Sequence, residues 1–211
     1  MDVVDWLRSL GLGQYETLFR ENDIDAEVLS DLTDGDLEKF GVSFGAKLGD
    51  RDAGTAELRQ ALADYASQGC KASLPFYHGL LAEIEAERGR PEAAMAEIDE
   101  ALVLAGETEE HWFDAALHRI RGEILLKQSP ADPAPAETAF LAAIAVAQQQ
   151  RARSFELRAA LSLAKLYQAT GRPTEAHDVL GPALEGFSPT PEFPQIAEAI
   201  GFMATVKTAG E

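Results

Sequence analysis

The chain has 211 residues, a hydrophobic fraction of 46% and a formal net charge of −18, which suits one or two compact domains with a buried core. A chain this acidic repels phosphate backbones and anionic lipid headgroups, so nucleic acids and membrane surfaces are poor candidate partners. A single cysteine excludes an internal disulfide, and the lack of a basic N-terminal region and of long apolar runs predicts a cytoplasmic protein.

The chain divides near residue 50 by its pattern of apolar residues. Residues 1–48 contain short segments with helical spacing, whereas from Thr55 onward the chain is rich in alanine and leucine. No segment shows the alternation of a β-strand, so we expect an all-α protein. Residues 49–54 are polar and contain glycine, which predicts a linker or helix break, with a leading helix inside residues 51–72.

The first part carries an ordered series of apolar, glycine and acidic residues. The series is Val4-Asp5-Trp6-Leu7, Leu10-Gly11-Leu12, Tyr15, Phe19, Asn22-Asp23-Ile24-Asp25, Leu29, Leu32-Thr33-Asp34, Leu37 and Gly41-Val42. Its order and spacing resemble a sterile alpha motif (SAM) domain, which implies a small bundle of short helices over residues 1–50. The family's long fifth helix would begin near Lys47 and is interrupted at residues 49–52, so we expect a truncated domain.

Two oppositely charged groups in the SAM-like part are candidates for self-association. The acidic group is Asp31, Asp34, Asp36 and Glu38, and the basic group is Lys47 and Arg51. SAM domains of the polymerising kind pair such surfaces head to tail, which gives filaments or rings. The resemblance therefore implies weak self-association through this part.

The second part, residues 73–206, repeats itself. Gly89-Arg90-Pro91 recurs as Gly171-Arg172-Pro173, a shift of 82 positions (171 minus 89). The same shift relates Ala94, Ile98, Ala101 and Leu102 to Ala176, Leu180, Ala183 and Leu184, and a middle copy fits at Ala136, Phe140, Ala143 and Ile144. These positions predict three helix–turn–helix units at about 73–106, 111–148 and 154–187, and three is the usual minimum for a stable stack.

Small and large residues inside each unit resemble the tetratricopeptide (TPR) pattern. The third unit has Leu163-Ala164, Tyr167, Gly171, Ala176, Leu180 and Ala183-Leu184, and the first has Leu81-Ala82, Gly89, Ala94, Ile98 and Ala101-Leu102. Glu85 replaces the aromatic residue in the first unit, and the middle unit keeps Gly122 and Leu125 before a longer turn at residues 129–135. The resemblance implies a three-repeat TPR α-solenoid, in which small residues let paired helices approach closely.

Two features close the predicted stack at its C-terminal end. Phe193, Ile196, Ile200 and Met203 lie on one helical stripe and predict a capping helix over residues 193–206. Pro182 lies inside the second helix of the third unit, where it should kink or restart the helix.

TPR stacks bind partners in a groove lined by the first helix of each hairpin. The family's groove positions fall here on Glu83, Glu87, Arg119, Glu123, Lys127, Arg158, Lys165 and Gln168. Residues 73–114 carry two basic and eleven acidic side chains, whereas residues 115–172 carry eight basic and four acidic ones. A locally positive groove would favour an acidic segment or a C-terminal carboxylate as ligand. The alternative is that these charges only keep exposed helix faces soluble.

The sequence lacks the motifs of the common catalytic and metal sites. Residues 41–47 have the wrong spacing for a phosphate-binding loop, and H-E-x-x-H, C-x-x-C and G-x-S-x-G are absent. His111 and His118 lack companion ligands, and Cys70 is interpreted as an ordinary loop cysteine. The alternating carboxylates Glu83, Glu85 and Glu87 are interpreted as a solvated face. We therefore predict a protein without catalytic, cofactor-binding or metal-binding residues.

The two parts together resemble the ends of a bacterial multidomain family. Its members place a SAM domain before a class III adenylate/guanylate cyclase domain, an AAA ATPase domain and a TPR tail, and the tail resemblance includes residues 118–127 and 188–194. The two middle domains are missing here. The resemblance implies a non-catalytic signalling adaptor that recruits or regulates a nucleotide cyclase protein. The alternative is a truncated cyclase homologue with no settled role.

Overall fold

A computed structural model describes residues 16–21, 51–69, 71–190 and 193–206 of the chain. These residues form helices and connecting loops without any strand. The helices are α1 (Glu16–Glu21), α2 (Arg51–Ser67), α3 (Leu74–Glu87), α4 (Pro91–Thr108), α5 (Asp114–Gln128), α6 (Ala134–Gln150), α7 (Arg153–Ala169), α8 (Pro173–Leu184) and α9 (Pro194–Thr205). The predicted all-α fold class is confirmed.

The chain divides into two compact units, Met1–Ala63 and Asp64–Glu211. In the first unit α1 buries Phe19, and the remaining predicted SAM residues, with the acidic group at 31–38 and Lys47, lie outside the described residues. Helix α2 begins at Arg51 and continues through Gly54, so the linker or helix break predicted at residues 49–54 does not extend into residues 51–54, and residues 49–50 lie outside the described residues. The cost of one helical glycine, about 1 kcal/mol, is offset by the strong helix formers that follow it.

The second unit is a stack of three helical hairpins. Its hairpins are α3/α4, α5/α6 and α7/α8. Helices α3, α5, α7 and α9 pack in succession as an inner layer, and each of α4, α6 and α8 packs between two inner helices. This packing confirms the predicted helical-repeat arrangement. The finer division into residues 1–50, 51–72 and 73–206 stays a prediction.

The recurrent Gly-Arg-Pro sequence builds the same turn in the first and third hairpins. Gly89 and Gly171 have φ angles of 70° and 76°, a left-handed conformation that glycine adopts without steric cost. The amide of Arg90 donates to the Glu85 carbonyl oxygen at 3.0 Å, and that of Arg172 donates to the Tyr167 carbonyl oxygen at 2.8 Å. These hydrogen bonds close a Schellman motif, and the next residue, a proline, opens the following helix.

Small residues set the distance between the two helices of each hairpin. Ala82 and Ala164 are fully buried at the position that Gly122 occupies in the middle hairpin. A Cβ atom on Gly122 would lie 2.5 Å from a ring carbon of Phe140, which is itself fully buried. Glycine at position 122 is therefore required by the close approach of α5 to the Phe140 ring.

Glu85 does not belong to a solvated face, so that prediction was wrong for this residue. Its side chain is 1% exposed, and its Oε2 atom lies 2.6 Å from Nε of Arg90. Arg88 lies farther away, at 3.8 Å. A buried carboxylate needs such partners because its charge has left water. The alternation of Glu83, Glu85 and Glu87 along the sequence does not identify which of the three is buried. The direction of each side chain depends on the neighbouring hairpin turn.

Tyr167 occupies the position of Glu85 in the third hairpin and also contacts the arginine of its turn. The Arg172 guanidinium lies 4.1 Å from the centre of the Tyr167 ring, within the range of a cation–π interaction. The Tyr167 hydroxyl donates to Oε1 of Glu137 at 3.0 Å, and Arg172 donates to both Glu137 oxygens. The hydrogen bond from Arg172 is the main cause that lowers the pKa of Glu137. This network joins the third hairpin to α6.

The C-terminal end of the stack differs in two details from the prediction. Helix α8 runs through Pro182 and ends two residues later, at Leu184, so the proline marks the end of the helix. Ile196 and Ala199 are the buried residues of α9, whereas Phe193 and Ile200 are exposed. The single apolar stripe predicted for the capping helix is therefore only partly buried, because a terminal helix has a neighbour on one side alone.

We predict that Gly122→Ala destabilises the protein although alanine favours helices. The new methyl group must displace the Phe140 ring, and overpacking of this kind costs about 1–3 kcal/mol. Urea unfolding followed by circular dichroism measures the change. Gly106→Ala is the matched control, because a Cβ atom there has no neighbour within 4 Å, so this change should be neutral or stabilising by up to about 1 kcal/mol. Equal stability of the two variants would contradict the predicted helix approach.

We predict that Glu85→Ala lowers the free energy of unfolding by about 2 kcal/mol, because it leaves the largely buried Arg88 and the half-exposed Arg90 without this carboxylate. Glu87→Ala, two residues along the same helix, removes an exposed carboxylate and should change stability by less than about 0.5 kcal/mol. Glu85→Tyr copies the third hairpin and should recover part of the loss, since Arg90 can then stack on the ring. Thermal unfolding of the three variants distinguishes these outcomes, and similar losses for Glu85→Ala and Glu87→Ala would count against the buried pair.

Candidate functional site

The eight predicted groove residues all lie on inner helices. Glu83 and Glu87 are on α3, Arg119, Glu123 and Lys127 are on α5, and Arg158, Lys165 and Gln168 are on α7. We call the surface of these three helices that carries the eight residues the inner face. The structure brings the α3 and α5 residues together, and it places Arg158 apart from them, beside a different cavity.

Arg119 is the centre of a polar network across the inner face. Its guanidinium donates to Oε1 of Glu83 at 2.7 Å and to Oε1 of Glu123 at 2.6 Å. Ser162, on α7, donates to the same Glu123 oxygen at 3.0 Å. These hydrogen bonds join α3, α5 and α7, so the network fixes the spacing of three successive inner helices.

Because Arg119 is largely buried, its role is to hold the inner helices together, and it is not a free cation for ligand binding. Its side chain is 16% exposed, against 39% for Glu83 and for Glu123. Burial lowers the pKa of Arg119, but the charges and hydrogen bonds of Glu123 and Glu83 outweigh it, so the pKa is raised above its ordinary value. The guanidinium therefore stays charged and occupied by two carboxylates.

The cavity between α3 and α5 is acidic on balance. It has a volume of about 170 Å³ and is lined by Glu83, Glu87, Glu123 and Lys127 together with apolar side chains. The Lys127 ammonium group donates weakly, at 3.4 Å, to the carbonyl oxygen of Ala86. Three carboxylates face one ammonium group here, so the positive charge expected from the composition of residues 115–172 does not extend over this end of the inner face.

A second cavity lies between α5 and α7, and its lining extends to Phe140 of α6 and to the loop before α6. It has a volume of about 420 Å³, and its lining includes Leu126, Pro133, Phe140 and Lys165. The Lys165 ammonium group donates to Oε1 of Glu198, on α9, at 2.6 Å. Both side chains of this pair are about half exposed, so water competes with it and a ligand carboxylate could replace Glu198 at little cost. Gln168 is exposed on the same helix.

A third cavity, of about 330 Å³, lies at the C-terminal end of the stack between α7, α9 and the loop that connects α8 to α9. Leu157, Phe187, Phe193 and Ile196 give it an apolar lining, and Arg158 is the charged residue at its wall. Sequence reasoning found Arg158 but missed the cavity. The available signal was the pair of phenylalanines in a loop otherwise rich in serine, threonine and proline.

An aromatic cluster, of which Trp112 is exposed and Phe113 is buried, lies near the N-terminal ends of the inner helices and was also missed. The Phe76 ring stacks on Trp112 with centroids 5.6 Å apart and meets Phe113 edge-on at 4.9 Å. Phe113 in turn contacts Phe155 of α7 at 5.8 Å. The cluster therefore connects α3, α5 and α7 at one end, as the Arg119 network does farther along these helices.

The histidines are engaged in local interactions. His111 Nδ1 lies 2.8 Å from a carboxylate oxygen of Asp114, and His78 Nδ1 lies 2.8 Å from one of Glu97. Burial is the main cause that lowers the pKa of His118. Within the described ranges, no three histidine, cysteine, aspartate or glutamate side chains are grouped as a metal site. Cys70 lies outside those ranges.

Comparison with known proteins identifies the N-terminal part. The family model of the SAM domain (sterile alpha motif) matches residues 1–48. No curated protein and no solved structure matches the chain. The predicted SAM domain is thereby confirmed for about a quarter of the chain, and the TPR, cyclase and ATPase resemblances stay predictions. No helix in the described part of the chain combines the length and apolar character needed to span a membrane.

These findings define the class of the protein. Residues 1–48 match the SAM domain, and the described residues are helical, with a stack of helical hairpins over residues 74–205. SAM domains serve protein interactions, and the stack presents a second surface of its own. An interaction protein is therefore the functional class that the chain supports.

We predict that Arg119→Met destabilises the hairpin stack by about 1–2 kcal/mol. The change removes the charged donor shared by Glu83 and Glu123, and the loss is moderated because both carboxylates are partly solvated. The control is Arg121→Met on the same helix, whose ion pair with Asp99 is more exposed and should contribute less than about 0.5 kcal/mol. Chemical unfolding measures both. Equal effects would show that the Arg119 network does not hold the inner helices together.

Proposed function

We propose that this protein is a non-catalytic interaction module whose inner face binds an extended segment of a partner protein. The observation that carries the proposal is the succession of α3, α5 and α7 in one layer, with a cavity between each adjacent pair. Cavities at the spacing of the repeats suit side chains of an extended ligand. The Arg119 network supports the same proposal, because a preorganised surface loses less conformational entropy when it binds.

The proposed ligand is an acidic segment or a C-terminal carboxylate. Arg158 supports this choice, since it makes no ion pair or hydrogen bond within the part of the chain that the structure describes. Lys165 supports it as well, because its exposed pair with Glu198 can exchange for a ligand carboxylate. Glu83, Glu87 and Glu123 would repel an acidic segment, so its negative group is assigned to the α7 end of the inner face.

The broader role proposed for the module is recruitment or regulation of a nucleotide cyclase signalling protein in the cytoplasm. Its support is the resemblance of both parts to the ends of a SAM, cyclase, ATPase and TPR family. The SAM domain would add weak self-association. The competing proposal is a truncated cyclase homologue without its catalytic and ATPase domains and without a settled role. A saturable partner of the inner face favours the module.

Site-specific photo-crosslinking in the source cell tests the module. A photoreactive amino acid replaces Glu87 or Gln168, which are exposed on inner helices, or Val103 or Leu141, which are 57% and 47% exposed on outer helices. We expect one protein to be crosslinked from both inner positions, with yields at least about tenfold above those from the outer positions. Equal yields from all four positions, or no product from the inner ones, would contradict the interaction module and favour the truncated cyclase homologue.

A further inference from the structure

One side of the cavity at the C-terminal end of the stack is held in place by an arginine. Arg153, at the start of α7, donates to the carbonyl oxygens of Pro182, Ala183 and Glu185 at 3.5, 3.3 and 2.7 Å. Carbonyls at a helix C-terminus lack partners inside the helix, so this arginine caps α8. Its guanidinium also lies 5.5 Å from the centre of the Phe187 ring. Arg153 thereby fixes the end of α8 and one aromatic wall of the cavity.

The shape and lining of this cavity suit one apolar group. Its volume of about 330 Å³ is at the lower end of ligand pockets, which span roughly 300–1,000 Å³. Leu157, Phe187, Phe193 and Ile196 supply the apolar surface. Phe193 is 49% exposed, and an apolar ligand would remove part of this ring from water.

Polar groups at the wall of the same cavity point to a negatively charged ligand atom. Arg158 lines the cavity and pairs with no acidic side chain among the described residues. The Thr190 hydroxyl is buried in the same wall and lacks a hydrogen-bond partner there within the described ranges. A guanidinium and a hydroxyl together match a carboxylate, which accepts several hydrogen bonds.

We propose that this cavity anchors the C-terminus of a partner protein, with the last side chain among the phenylalanines and the terminal carboxylate on Arg158. The proposal rests on the proposed function and names its anchor. A chain terminus carries an apolar side chain and a carboxylate on one residue, so both can be placed at once. An internal aspartate or glutamate carries its carboxylate at the tip of the side chain, which would bring the charge into the apolar lining.

Peptide binding to the full chain tests the anchor. The probe is a fluorescein-labelled hexapeptide of neutral residues that ends in phenylalanine with a free carboxylate, and fluorescence anisotropy gives its Kd. We expect saturable binding that weakens about tenfold or more when the carboxylate is amidated, and again when glycine replaces the last residue, because a charge-assisted hydrogen bond and a buried ring are lost in turn. Lack of saturation up to a concentration on the order of 1 mM overturns the proposal.

Matched variants separate the anchor from general charge attraction. Arg158→Gln should weaken binding of the free-acid peptide about tenfold or more and leave binding of the amidated peptide unchanged. The control is Arg121→Gln, which removes a basic side chain that pairs with Asp99 and is not one of the eight groove residues. It should change the Kd of either peptide less than about twofold. Equal losses from both variants overturn the proposal. If the peptide fails to bind while inner-face crosslinking persists, only the anchor is wrong. If the peptide binds as expected without inner-face crosslinking, the anchor stands and the proposed module fails.

Discussion

The close approach of the two helices in each hairpin is the constraint on which the stack depends. A residue as small as alanine or glycine is required at positions 82, 122 and 164, and at Gly122 the Phe140 ring of α6 occupies the space that a side chain would need. The hairpin still leaves one apolar flank uncovered, and only the next hairpin or the capping helix can bury it. Because the hairpins stack in this way, the inner helices lie side by side and together form the inner face.

Arginines then fix helices of the stack relative to one another, both between hairpins and within the third hairpin. Arg119 joins α3 to α5, Arg172 joins the third hairpin to Glu137 of α6, and Arg153 caps α8 from α7. All three belong to the stretch 115–172, whose positive charge suggested a positive groove. Five of the eight basic side chains in this stretch form ion pairs with carboxylates, namely Arg119, Arg121, Arg153, Lys165 and Arg172. The net charge of a segment therefore does not give the charge of the surface that it contributes to.

The helical hairpins were predictable because their signals are local or strictly periodic. Gly89 and Gly171 mark turns that require a positive φ, and the spacing of small residues marks the helices that meet. The environment of Glu85 was not predictable, since its burial depends on the arginine that the turn brings back over it. The helix through Gly54 and the exposure of Ile200 were not predicted for a related reason, because each depends on context beyond the local pattern. The C-terminal cavity needs α7, α9 and the loop between α8 and α9 together, and no local motif encodes this arrangement.

The distribution of charge along the stack gives the inner face a direction. Carboxylates predominate between α3 and α5, whereas Arg158 lies at the α7 end without a partner in the described ranges. A segment anchored by its terminal carboxylate at Arg158 would extend its preceding residues toward α5 and α3. Basic residues placed there would face Glu83, Glu87 and Glu123, and acidic residues would be repelled. The ligand that we propose is therefore a segment with a negative end and a neutral or basic body. This is a narrower class than acidic segments in general, and it follows from the pairing of Arg119 with Glu83 and Glu123.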